Sequence, residues 1–191
     1  MIAITGGIGT GKSYVCHLLR ERGIDVYDCD LAAKRLMRES RQIRTSLTAL
    51  IGPEAYVGDS LNKPVVAQFL LASDENNKAI NFIVHPAVAE DFKLSGYEWM
   101  ECAILYESGF NALADRVVAV SAPYDVRLQR IVKRDNISPE KAAEWIARQL
   151  PQEEIDLRAD YVISNDGCQD LEEQIDNLLM NIYDNNFGNS R

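Results

Sequence analysis

The sequence has no long apolar run, no C-x-x-C pair and no basic excess, and each absence removes a class of protein. A membrane-spanning helix needs roughly 20 consecutive apolar residues. Nothing in the 191-residue chain approaches that, so no membrane partner is expected. The first apolar strand begins at residue 2, and no signal peptide is expected either. Cys16, Cys29, Cys102 and Cys168 lie far apart with no histidine cluster beside them. That spacing excludes a disulfide framework and a zinc site, and suits reduced thiols in a cytoplasmic protein. Formal net charge is −9, from 20 basic and 29 acidic residues. Nonspecific nucleic-acid binding depends on a basic surface, so no nucleic-acid partner is expected. A GTPase would carry N-K-x-D and D-x-x-G, and neither string occurs. Leu94-Ser95-Gly96 is a mere fragment of a transporter-ATPase signature, in a chain too short for such a module.

What is present is a chain rich enough in apolar residues, at 47%, to build a core, and of a length that suits one globular domain with a small insertion. Strand and helix patterns alternate, which predicts a parallel sheet covered by helices. Residues 2–5 read as a strand, 12–22 as a helix closed by Gly23, and 24–28 as a second strand. A long helix is expected over 31–51, stopped by Gly52-Pro53, then a loop over 53–63 and helices over 64–71 and 75–94. The stretch 31–96 thus reads as a helical insertion of the kind used for a second substrate. Strands follow at 99–106, 116–121 and 161–163, with helices at 124–134, from Ser138-Pro139-Glu140 onward, and at 170–183. The polar tail from Asn185 is expected to fray.

Residues 6–13, Gly-Gly-Ile-Gly-Thr-Gly-Lys-Ser, complete the pattern G-x-x-x-x-G-K-[ST] between the strand Ile2–Thr5 and an apolar-spaced helix. Glycines let successive N–H groups turn inward around an anion. The helix that follows points its positive dipole end at the same place. Lys12 can reach the β- and γ-phosphates of a nucleotide, and the Ser13 hydroxyl can bind a bridging Mg2+. A glycine-rich turn with no ligand would share the glycines. The strand, the full motif and the helix in that order favour a nucleoside-triphosphate site formed by Gly7, Ile8, Gly9, Thr10, Gly11, Lys12, Ser13 and Tyr14.

Eleven of the twenty basic residues fall in two short segments, Lys34 to Arg44 and Arg127 to Arg148. Solvated helix faces can look like this, but beside a phosphate loop they also suit an enzyme with two phosphorylated substrates. A small-molecule kinase must accept a proton from the attacking hydroxyl and screen the transferred phosphoryl group. Asp28-Cys29-Asp30, at the end of the second strand, offers the carboxylate. One of the two aspartates is expected to cap the following helix and the other to serve the chemistry.

The series T-G-G-I-G-T-G-K-S, D-C-D, His85-Pro86, Leu105-Tyr106-Glu107-Ser108-Gly109, R-x-x-R-x-x-K-R-D, Gln149 and Ala159-Asp160-Tyr161-Val162-Ile163-Ser164-Asn165-Asp166-Gly167 resembles the dephospho-CoA kinase family through nearly the whole chain. The resemblance implies a three-layer α/β phosphate-loop fold with a parallel sheet, a helical substrate-binding insertion (31–96) and a short lid (135–150). It implies transfer of the ATP γ-phosphate to the ribose 3′-hydroxyl of dephospho-CoA, with Mg2+, in a cytoplasmic monomer or weak oligomer. Carried over by position, Asp30 is the general base, Lys12 the phosphate-binding lysine, Arg130 a catalytic arginine and Arg134 a nucleotide-binding residue at the mouth of the lid. Tyr14, Ala103 and Gln152 depart from the family pattern, the last standing where some lids carry a basic residue.

Other residues admit two readings. His85 suits a structural hydrogen bond more than a substrate contact. Glu107 could orient water around a metal or pair with a basic neighbour. His17, Trp99 and Trp145 read as packing residues. A regulatory ATPase without a small acceptor, or a nucleoside or nucleotide kinase, would share the loop; Asp30 argues against the former.

Overall fold

The structure, a computed structural model, describes residues 1–187, with side chains to residue 183. In chain order the elements are β1 (Ile2–Thr5), α1 (Lys12–Glu21), β2 (Val26–Asp28), α2 (Cys29–Glu39), α3 (Arg41–Ile51), β3 (Tyr56–Val57) and β4 (Ser60–Leu61). There follow α4 (Lys63–Ala72), α5 (Asp74–Ser95), β5 (Trp99–Glu101), β6 (Arg116–Ser121) and α6 (Tyr124–Asp135). The last are α7 (Pro139–Ala147), α8 (Gln152–Arg158), β7 (Tyr161–Ser164) and α9 (Leu171–Phe187). Short 3-10 turns occupy Pro53–Ala55 and Phe110–Leu113. Among the described residues no helix is long and apolar enough to cross a membrane.

The chain divides into two compact units, residues 1–26 with 98–191, and residues 27–97. The five-stranded sheet has the order β2-β5-β1-β6-β7, with β1 as its central strand; all of it but the end of β2 belongs to the first unit. Strand β1 pairs in parallel with β5 on one side (Ile4 opposite Glu101) and with β6 on the other (Ile4 opposite Val118). Alternation along the strands sends Ile4, Val118, Val120 and Ile163 to one face. There they pack with Val15, Leu18 and Leu19 of α1 and Ile175, Leu178 and Ile182 of α9. Each such side chain contributes about 1.5–3 kcal/mol by leaving water. Residues of the opposite parity, Ala3, Val117 and Ala119, are buried on the other face, and α8 packs against β6. The chain runs from β1 to β2 on one side and later from β5 past β1 to β6 on the other, a change of direction at whose carboxyl end open α/β sheets bind ligands.

The second unit is helical, with a core that includes Ile43, Leu47, Val66, Ile80, Val84, Val88 and Phe92. Its hydrogen-bonded anchor is Asp91, which accepts from Tyr27 Oη at 2.6 Å and from Arg35 Nη2 at 2.5 Å. The Tyr27 ring also packs on Phe92 and Tyr97.

Several boundaries differ from the sequence reading. The expected helix 31–51 is two helices, because Ser40 is extended and its Oγ caps the second by accepting from Ile43 N–H. The expected loop 53–63 contains the antiparallel pair β3–β4. The strand expected over 99–106 stops at Glu101, and turns follow. Helix α8 went unforeseen, and α9 runs on to Phe187 through three residues of the expected frayed tail. The rest of that tail, 188–191, lies outside the described residues.

Candidate active site

The loop between β1 and α1 is held from all sides by backbone-directed bonds. Gly11 stands at φ 93°, the left-handed conformation that starts α1, and Asn165 Nδ2 occupies the space a β-carbon would need. That same Nδ2 donates to Thr10 O at 2.7 Å. Arg130 lies on the same carbonyl at 3.3 Å and on Gly9 O at 3.4 Å, while its Nη2 donates to Asn165 Oδ1 at 3.2 Å. The arginine and the asparagine therefore grip the loop as a pair, one from α6 and one from the end of β7. Thr10 Oγ1 closes the loop internally by donating to Gly7 O at 2.9 Å.

Lys12 turns back into the loop: its Nζ donates to Gly6 O at 2.7 Å and to Gly7 O at 3.3 Å. Burial lowers its pKa from the usual lysine value, against the opposing pull of the Glu101 carboxylate. The ammonium is held by two neutral carbonyls, for which an entering polyphosphate would substitute charged acceptors. Ser13 is exposed in the first turn of α1, and Tyr14 is exposed beside it. Glu101 was not anticipated as part of this environment. The available signal was an apolar strand, Trp99-Met100, ending in a carboxylate next to the central strand.

The two aspartates separate cleanly within the second unit. Asp28 is the cap of α2, its Oδ1 accepting from Leu31 N–H at 2.8 Å. Asp30 takes no such role; its side chain is 83% exposed and 3.4 Å from Lys34 Nζ. Arg134 spends its guanidinium on Asp135, with Nη2 2.7 Å from Oδ2. Glu107 is exposed and accepts from Leu150 N–H at 3.3 Å. Half-burial lowers the His85 pKa, favouring the neutral ring. His17, expected to pack, is instead exposed and 3.4 Å from Glu21, because it sits on the outer side of α1. Trp99 is buried and Trp145 half-buried, as packing residues are. Gln152, read as a lid position, lies buried in α8 with its Oε1 on Gly7 N–H at 2.9 Å.

A parallel sheet flanked by helices, with a complete phosphate loop at the carboxyl end of its central strand, defines a phosphate-loop kinase fold. A crystal structure from Thermus thermophilus, TT1252, superposes with a TM-score of 0.83 at 32% identity, covering 95% of this chain and 96% of that one. A dephospho-CoA kinase structure from Campylobacter jejuni shares the fold at a TM-score of 0.70 and 20% identity, covering 97% and 98%. The dephospho-CoA kinase family model matches residues 1–170. A dephospho-CoA kinase of Bacteroides fragilis is 41% identical over 193 residues, 95% of this chain and 92% of the relative. The chain belongs to the dephospho-CoA kinase family. Its enzymes phosphorylate dephospho-CoA with ATP in the final step of CoA biosynthesis.

Proposed function

We propose that this chain transfers the γ-phosphoryl group of ATP to the ribose 3′-hydroxyl of dephospho-CoA, with Asp30 as the general base. The observation that carries the reading is the loop itself: four glycines, a half-buried ammonium on neutral carbonyls, and a helix start aimed at the same point, in a chain of this family. Lys12 leaves Gly6 O and Gly7 O for the β- and γ-phosphates, exchanging two neutral acceptors for charged ones, which make the stronger bonds. Asp30 is available as a proton acceptor because Asp28 already serves the helix cap. Asp30 accepts the proton of the 3′-hydroxyl as its oxygen attacks phosphorus, and the bond to the ADP oxygen breaks.

Ser13 suits Mg2+, which commonly takes few protein ligands and completes its shell with water and phosphate oxygens. When bound, the ion screens the charge on the phosphate oxygens. Arg130 and Arg134, with the segment 135–150 as a lid, would close over the nucleotide and exclude water. The helical stretch 31–96 would hold dephospho-CoA. We further propose a cytoplasmic setting, a monomer or weak oligomer, and no nucleic-acid or membrane partner, in keeping with the acidic charge and the four thiols.

ADP release measured across a panel of acceptors tests the reading. Dephospho-CoA should be the preferred acceptor, with adenosine and AMP much poorer. Preference for a nucleoside monophosphate would replace this reading with a nucleotide kinase.

A further inference from the structure

Three side chains that none of the chemistry above uses converge on two residues of the phosphate loop. Gln152 Oε1 accepts from Gly7 N–H at 2.9 Å, and Gln149 Oε1 accepts from Ile8 N–H at 2.6 Å. Arg127 Nε donates to Ile8 O at 3.0 Å. Both peptide N–H groups and the Ile8 carbonyl are thus taken by partners more than a hundred residues away. Gly7 is required here for space: the Arg127 guanidinium and the Gln152 amide fill the position where a β-carbon would stand.

These partners are themselves fixed. Gln152 Nε2 donates to Asp156 Oδ1 at 2.7 Å and to Val120 O at 3.3 Å, which forces its oxygen toward Gly7. Asp156 in turn accepts from Ser121 Oγ at 2.7 Å, so a chain of bonds runs from the end of β6 to the loop. Arg127 and Gln152 are only 4% and 7% exposed. Burial lowers the Arg127 pKa from the usual arginine value, against the pull of Glu153 and Asp156. Its burial carries a desolvation cost that a surface residue would avoid, and the bond to Ile8 O is what it gains.

We propose that Gln149, Gln152 and Arg127 form an outer brace that holds the phosphate loop in its anion-receiving shape before nucleotide arrives, the two glutamines acting as positioning residues for nucleotide binding. Glycines make the loop backbone costly to order. A brace moves that cost from the binding event to folding, and so raises nucleotide affinity without touching the phosphates. This rests on the loop being the ATP site.

The test uses the full chain and ADP, in the absence of any acceptor. Gln149→Ala should speed amide exchange at Ile8 in the nucleotide-free protein and weaken ADP binding roughly three- to tenfold, the worth of one such bond. Its KM for ATP should rise while kcat stays within about twofold, the mark of uniform binding. Gln149→Glu keeps the accepting oxygen and should restore slow exchange at Ile8. Gln152→Glu keeps the oxygen but loses the donor to Asp156 and sets two carboxylates together, so exchange at Gly7 should quicken. Unchanged Ile8 exchange and unchanged ADP affinity in Gln149→Ala overturn the brace. If Lys12→Ala loses ADP in the same assay, the nucleotide site still stands; if neither variant affects ADP binding, both readings fall.

Discussion

At the scale of single residues, groups that would act on phosphate differ from groups that shape the backbone around it. Lys12 is proposed as the first kind, and Lys12→Ala should lower turnover roughly 100- to 1000-fold, as loss of preorganised charge does. Steady-state rates with saturating dephospho-CoA read this directly, and near-normal turnover would remove the loop from the chemistry. The aspartates differ in kind. Asp30→Asn should cost about 100- to 10,000-fold in turnover with ATP binding retained. Asp28→Ala should cost about 1 kcal/mol of stability through the lost cap, and Asp28→Asn almost none, because asparagine caps as well as aspartate. Denaturant melts alongside rates distinguish the two positions. The reverse ranking in turnover would make Asp28 the base. From the sequence, one aspartate of the D-C-D is expected to cap and the other to act. Which is which depended on where α2 starts, and the helix begins two residues earlier than its apolar spacing suggests. His17 was misread for a related reason: residue type says little about which side of α1 a position faces.

At the scale of elements, what was legible was what is local. The loop, its strand and its helix are contiguous, so one segment carries all the information. The brace is not: Gln149 and Gln152 reach Ile8 and Gly7 across 141 and 145 residues, and no local pattern records that. Helix α8 was missed because it is short and its start at Pro151 carries no side-chain cap. The break at Ser40 was missed because apolar spacing runs through it while the serine cap interrupts only the backbone. Segment 135–150 should gain protection from hydrogen exchange when a bisubstrate analogue binds, much less with dephospho-CoA alone. Because Gln149 is pinned to Ile8, the moving part should end before it. Arg130→Ala should lower turnover more than ATP affinity. Unchanged exchange with the analogue, together with normal turnover in this variant, would exclude a lid. In the helical unit, the Asp91 carboxylate is held by Tyr27 and Arg35. Burial raises its pKa, but the bonds from Arg35 and Tyr27 outweigh that and bring it below 3.8. A depressed carboxylate stabilises the fold above its unfolded pKa, and that contribution is lost as pH falls through the lower folded value. Acid unfolding followed by circular dichroism should therefore have a component below pH 3.8 that Asp91→Asn removes. At neutral pH the variant should lose about 1 kcal/mol, modest because Arg35 is partly exposed.

At the scale of the whole molecule, the loop with Lys12 belongs to one compact unit and Asp30 to the other. The parallel sheet was legible because strand and helix patterns alternate, and the helical unit because strands fail to appear between residues 31 and 96 apart from two-residue β3 and β4. The central claim concerns which oxygen receives the phosphoryl group. Purified chain with Mg-ATP and dephospho-CoA, followed by phosphorus NMR of the product, tests it most directly. A new phosphomonoester on the ribose 3′-oxygen, formed in step with ADP, is expected. A phosphate on any other oxygen, or ADP formed with inorganic phosphate alone, would contradict it.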